Sequence, residues 1–195
     1  RLSYSPEEER FDHRLHYQQA LSDRVRSRLI AAQARRGSGD LELRYFRLET
    51  QWQYRRSTEG WNAALRGELQ LAEGDDGPHR LRLAWTCARD LGPWQQRVNL
   101  LAGREFGSDP ASGVSLELRA QITRRTNAGH RVGLSLFSDF NTTADLGSFD
   151  EQAHELGPIY KASLGSDWGL TAGMLFGLSD GAPDTTWRLM ISRDF

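Results

Sequence analysis

The dominant feature of the chain is an alternation of apolar and polar positions. Trp61, Ala63, Leu65, Leu69 and Leu71 take one parity, while Asn62, Arg66, Glu68 and Gln70 take the other. A period of two sends successive side chains to opposite faces of a strand. The same pattern sets Leu81, Leu83, Trp85 and Cys87 against Arg80, Arg82 and Thr86. It recurs in Trp94, Val98 and Leu100 against Arg97 and Asn99, and in Leu116, Leu118 and Ile122 against Glu117, Arg119 and Gln121. Near the end, Trp168, Leu170, Met174 and Phe176 oppose Gly169, Thr171, Gly173 and Gly177. Eleven strands are predicted, at about 10–21, 24–36, 40–56, 60–73, 78–90, 93–106, 113–126, 129–140, 152–165, 167–178 and 185–195.

The first three runs are weaker. Leu41, Tyr45, Leu48 and Trp52 also fit a helical spacing, and 24–36 reads as helix or strand. Tyr, Phe, Thr and Trp favour the strand reading for 40–56. Clusters of turn formers separate the runs: Ser57 to Gly60, Glu73 to Pro78, Asp90 to Pro93, Thr126 to Gly129, Gly165 to Asp167 and Ser179 to Asp184. Gly, Asn and Asp accept the positive φ of tight hairpins, and Pro pre-sets its own φ. Strands joined this way are antiparallel neighbours, so the chain reads as one all-β, up-and-down domain over 1–195.

Alternation alone does not decide which face points inward. Four features favour a transmembrane β-barrel, with the apolar face toward lipid. The runs are mostly longer than the 5–6 residues at which soluble strands peak, and about 9–11 span a bilayer. They follow one another with short connections. The polar parity (Arg47, Glu49, Arg66, Glu68, Glu117 and Arg119 among others) would be costly in a dry core and cheap in a wet lumen. Finally, aromatic residues cluster. Counting turns back from Phe195 places Trp52, Tyr54, Trp61, Trp85, Trp94 and Trp168 toward one rim, the position of an interfacial belt. Cross-strand aromatic pairing in any β protein is the alternative account of that cluster.

The chain ends Trp187-x-Leu189-x-Ile191-x-Arg193-x-Phe195. With the hairpin pattern, this ending resembles the bacterial outer-membrane β-barrel superfamily, whose members typically end in an aromatic residue preceded by alternating apolar ones. Arg193 departs from that pattern. The stretch from Leu156-Gly157-Pro158 to Ala182-Pro183-Asp184 also looks like uncharacterised proteobacterial outer-membrane proteins. The resemblance implies the outer membrane of a Gram-negative bacterium, contact with outer-membrane lipid, and a C-terminal signal read by the barrel assembly machinery. Such barrels usually have an even strand number. Counting Leu2 to Ser5 as a first strand gives twelve, and discarding one weak run gives ten; twelve is favoured.

Composition narrows the function. Twenty-six acids face twenty-five bases, which argues against a nucleic-acid partner. No apolar run reaches the length of a membrane helix. Cys87 is the single cysteine and reads as a small hydrophobe. No His is followed two residues later by Ser, the arrangement of outer-membrane lipid hydrolases, so no catalytic residue, metal or cofactor is assigned. His154 and Glu155, beside Asp145 and Asp150, read as a solvated rim before an acid–base or metal site. The lumen-facing parity is richer in bases, with Arg14, Arg24, Arg26, Arg28, Arg47, Arg66, Arg80, Arg82, Arg97, Arg119, Arg131, Lys161 and Arg188 against Asp12, Glu49, Glu68, Glu105, Glu117, Asp139 and Glu155. The reading is a porin-like transport channel for small solutes, or the barrel part of a secretion assembly; the surplus of bases favours anions if the lumen is open, while Arg–Glu pairing such as Arg66 with Glu68 and Glu117 with Arg119 is the alternative that plugs it. An envelope lipid-modifying enzyme and a soluble ligand-binding barrel are the rivals.

Overall fold

The computed structural model describes residues 1–74 and 77–195. Its twelve strands are β1 (Leu2–Ser5), β2 (Arg10–Ala20), β3 (Val25–Arg36), β4 (Glu42–Arg55), β5 (Asn62–Ala72), β6 (His79–Leu91), β7 (Trp94–Phe106), β8 (Ser115–Arg125), β9 (Arg131–Thr142), β10 (Ala153–Leu164), β11 (Trp168–Gly177) and β12 (Thr185–Arg193). Each pairs antiparallel with its sequence neighbour, and β1 pairs with β12 to close a barrel. Asp75 and Asp76, in the turn cluster after β5, lie outside the described residues.

Alternation becomes inside and outside. Along β4, Phe46, Leu48 and Trp52 are exposed on the outer surface, while Glu49 between them is buried. Leu81, Leu83, Leu100 and Leu134 are likewise exposed, and Arg82, Thr123 and Ser135 are buried. This is the reverse of a soluble sandwich, in which the apolar parity would be covered. The two rims differ. Connections on the rim of Phe195 are 21–24, 56–61, 92–93, 126–130 and 165–167; those on the other are 6–9, 37–41, 73–78, 107–114, 143–152 and 178–184, the longer set. The tightest turn is Gly92–Pro93, where Gly92 takes φ +58, the left-handed conformation such a hairpin needs. Arg24, expected on the lumen wall, falls instead in the turn before β3, because the β2–β3 pairing ends at Ala20 and Arg26.

Register shifts interrupt the wall at Ala32/Gln33, Trp52/Arg55 and Ser115/Glu117, and two further places depart more strongly. First, β1 is short: Leu2–Tyr4 pair with Trp187–Leu189 and Leu2–Ser5 with Arg10–His13. Among the described residues, no strand lies between Leu15–Ala20 of β2 and Met190–Arg193 of β12. Second, the β10–β11 ladder lapses between the pairs Leu156–Phe176 and Ile159–Gly173. Pro158, with no N–H to donate, sits in the lapse. There the backbones crowd: a Cβ on Gly157 would lie 1.9 Å from the Met174 carbonyl oxygen. Gly157→Ala must therefore push β10 and β11 apart. The expected cost is about 3 kcal/mol, read as a lower urea midpoint for the folded barrel; an unchanged midpoint would show that the close approach is not required.

Candidate functional site

The inward parity builds one connected site, the lumen wall. Arg28 on β3 lies 3.4 Å from Glu49 on β4. Arg47 lies 3.6 Å from Glu49 and 3.5 Å from Glu68 on β5. Glu68 also takes Arg66 at 2.7 Å and Arg82 of β6 at 2.6 Å. Arg82 continues to Glu117 of β8 at 2.7 Å, and Arg119 closes the series on Glu117. Ion pairs thus run unbroken from β3 to β8. The Glu68 side chain is 1% exposed and that of Arg82 5%, so the middle of this network is buried.

Arg82 skips a strand because of what opposes it. Its register partner on β7 is Gly103, and a Cβ there would lie 2.6 Å from Arg82 Cγ. With no side chain in the way, the guanidinium crosses β7 to reach Glu117. The arrangement repeats on the far wall. Arg188 of β12 opposes Gly173 of β11 and reaches Glu155 of β10 at 3.1 Å. Arg188 also lies 3.9 Å from the centre of the Phe137 ring, a cation–π contact that compensates its incompletely bonded guanidinium. Lys161 of β10 crosses β9 to donate to Gln121 Oε1 at 2.5 Å.

The remaining lumen residues fall near the rims. Arg80 pairs with Glu105 toward the longer loops. Arg131 lies 3.7 Å from Asp90, an inward acid absent from the sequence-derived set. Tyr45, beneath the Arg47 guanidinium at 4.9 Å, and Phe137 were also absent. Their parity in β4 and β9 was the available signal. Among the described residues, Arg14, Arg26, Arg97 and Lys161 form no ion pair. Arg26, Arg28, Arg66, Arg97 and Arg119, with Gln51, Asn62 and Asn99, line a recess of about 410 Å³ whose one acid is Asp90.

On the outer face, Trp52 and Tyr54 have ring centres 5.7 Å apart at the end of β4. Trp61, Trp94 and Trp168 stand at strand starts on the same rim. Trp85 differs from the sequence expectation: it sits at the middle of β6, six residues from Leu91, and its indole N–H donates to Tyr54 Oη at 2.9 Å. The strand lies where the sequence places it, 79–91 against 78–90, and six residues of β6 separate Trp85 from the turn. Trp187, Leu189 and Ile191 are exposed on the outer face of β12, and Phe195 lies past its end.

His154 is buried and packed, not part of the solvated rim expected from the sequence, because the 143–152 loop folds over it. Its ring stacks on Phe149 with centres 4.4 Å apart, and Nε2 meets Gln152 Oε1 at 3.0 Å. In the same loop, Glu151 accepts the Ser148 N–H at 2.6 Å, which holds its carboxyl below the usual range. Among the described residues no three His, Cys, Asp or Glu side chains converge as a metal site would require.

No protein-family profile and no curated protein sequence matches the chain. One solved structure that it resembles is described as "NanC porin structure in rhombohedral crystal form", with a TM-score of 0.71, 10% identity, and coverage of 100% of this chain and 98% of that one. At that identity the likeness is one of fold, a closed twelve-strand porin-type barrel.

Proposed function

We propose that this protein is an outer-membrane, porin-like channel that passes small anionic solutes. The observation that carries the reading is the set of inward cations that form no ion pair among the described residues (Arg14, Arg26, Arg97 and Lys161), together with the arginine-lined recess. Rings of Arg or Lys favour anions in a pore, and low-dielectric walls focus their field. The apolar outer face and the porin-type fold support a place in the membrane. The ending through Ile191 and Phe195 supports delivery by the barrel assembly machinery of a Gram-negative envelope. No cofactor enters this reading, and oligomeric state is left open.

A second reading is favoured by one specific feature, the buried Glu68–Arg82 centre, which would make the barrel a plugged one. Reversal potentials in a planar bilayer under a salt gradient separate the two. A channel is expected to show a potential on the anion side, reduced toward zero in Arg26→Gln/Arg97→Gln. Cation preference would overturn the charge argument. Absence of conductance in the folded protein would leave the plugged barrel.

A further inference from the structure

The outer surface at the rim of Phe195 carries a repeated pair that the channel reading does not use. Arg124 opposes Trp94 in the β7–β8 register and lies 5.9 Å from its ring centre. Arg193 opposes Trp168 in the β11–β12 register and lies 5.4 Å from its ring. Arg89 and Trp61 flank the last β5–β6 pair, Asn62–Ala88, and lie 6.0 Å apart. So three hairpins place an outward guanidinium over an outward indole at the rim of Phe195. Arg193, the residue that breaks the apolar ending, is one of them.

Arg124 and Arg193 are exposed, and Arg89 is half-buried. Among the described residues none of the three forms an ion pair, and Nε of Arg89 is buried with no hydrogen-bond partner. Asp23, Glu59, Asp167 and Asp194 share the rim without reaching them. A guanidinium held 5.4–6.0 Å from an indole centre is within cation–π range, and its planar N–H fork suits two oxygens of a phosphate. Trp168 and Trp94 are 46% and 42% exposed, so each ring is open beside its Arg. The opposite rim contrasts. Among the described residues it has one such outward pair, Arg35 over Phe11, with Glu7, Glu8, Glu9, Asp40 and Glu42 on the same rim.

We propose that the rim of Phe195 is a binding belt for anionic phospholipid headgroups, each Arg–Trp pair holding one phosphodiester. The belt rests on the reading that the barrel spans a membrane. A zwitterionic headgroup brings its own cation to the site, whereas phosphatidylglycerol brings net negative charge. Each Arg near the surface is worth about a fivefold preference for the anionic lipid.

The test reconstitutes the barrel in vesicles of phosphatidylcholine with a minor share of phosphatidylglycerol. Lipids that stay bound on gentle extraction are then counted by native mass spectrometry. The expected result is phosphatidylglycerol enriched at least about fivefold over the bilayer ratio. The Arg89→Gln/Arg124→Gln/Arg193→Gln variant should fall to the bilayer ratio, and Arg35→Gln should keep the enrichment. The single variants Arg124→Gln and Arg193→Gln give intermediate values and guard against misfolding of the triple one. Insertion of the wild-type barrel without enrichment, or enrichment kept in a folded triple variant, overturns the belt and leaves the membrane reading standing. Failure of the wild-type barrel to enter these vesicles overturns both.

Discussion

Replacing Glu68 by Gln is expected to destabilise the barrel by about 3–5 kcal/mol. The carboxylate is 1% exposed and faces Arg82 at 2.6 Å, Arg66 at 2.7 Å and Arg47 at 3.5 Å. The amide would leave three guanidiniums around a neutral group and turn two N–H donors toward donors. Removing one partner from a buried pair costs more than the pair itself contributes, because the surviving charge stays desolvated. Arg82 keeps Glu117 at 2.7 Å, which limits the loss. Arg119 supplies the contrast. It ends the same network, yet its side chain is 32% exposed, so Arg119→Gln should cost under about 1 kcal/mol. Urea unfolding in vesicles, followed by loss of heat-modifiable gel mobility, reads both variants. Equal costs would mean that water reaches Glu68 and that the middle of the lumen is wet. In a conducting barrel, Glu68→Gln should also raise the anion preference, since it deletes the acid shared by three arginines.

The wall of the barrel was legible because hydrophobicity alternates with the strand period. Parity alone separates Arg47 and Glu49 from Phe46 and Leu48, and it carries through β12 without knowledge of any contact. The ambiguous run 24–36 resolves as β3, because Arg26, Arg28, Ile30 and Ala32 share the lumen side of its pairing with β2 and β4. β1 was reached only through the even-number rule, since four residues are too few to show a period. Contacts that skip a strand were not legible. That Arg82 meets Glu117 depends on the register that sets Gly103 opposite Arg82, and register is a property of two strands at once. The same holds for Arg188 across Gly173 and for the Arg–Trp pairs of the rim. A sequence supplies the arginine, the glycine and the tryptophan; alignment of neighbouring strands turns them into a site.

Placing an arginine at Leu100 is the expected change with the sharpest bearing on the membrane. Leu100 is the middle residue of the thirteen in β7, and 48% of its surface is exposed on the outer wall. Its cross-strand neighbours are Trp85 and Leu118, so no acid stands beside it to receive a guanidinium. In water such a site tolerates charge: an exposed Leu→Arg change stays within about 0.5 kcal/mol. At the midplane of a bilayer the same substitution costs about 2–4 kcal/mol, because the cation must snorkel or draw water into hydrocarbon. The two environments therefore predict different outcomes for one residue. Folding of Leu100→Arg into vesicles should show the larger loss, and Leu100→Ala a smaller one, since alanine removes apolar contact without importing charge. Arg193 is the internal comparison. It is a native outward arginine at the rim, over the rings of Trp168 and Phe195, and depth is what makes that charge cheap there and costly at Leu100. Equal stability of wild type and Leu100→Arg in vesicles would remove lipid from the outer face and leave a barrel that displays its leucines to water.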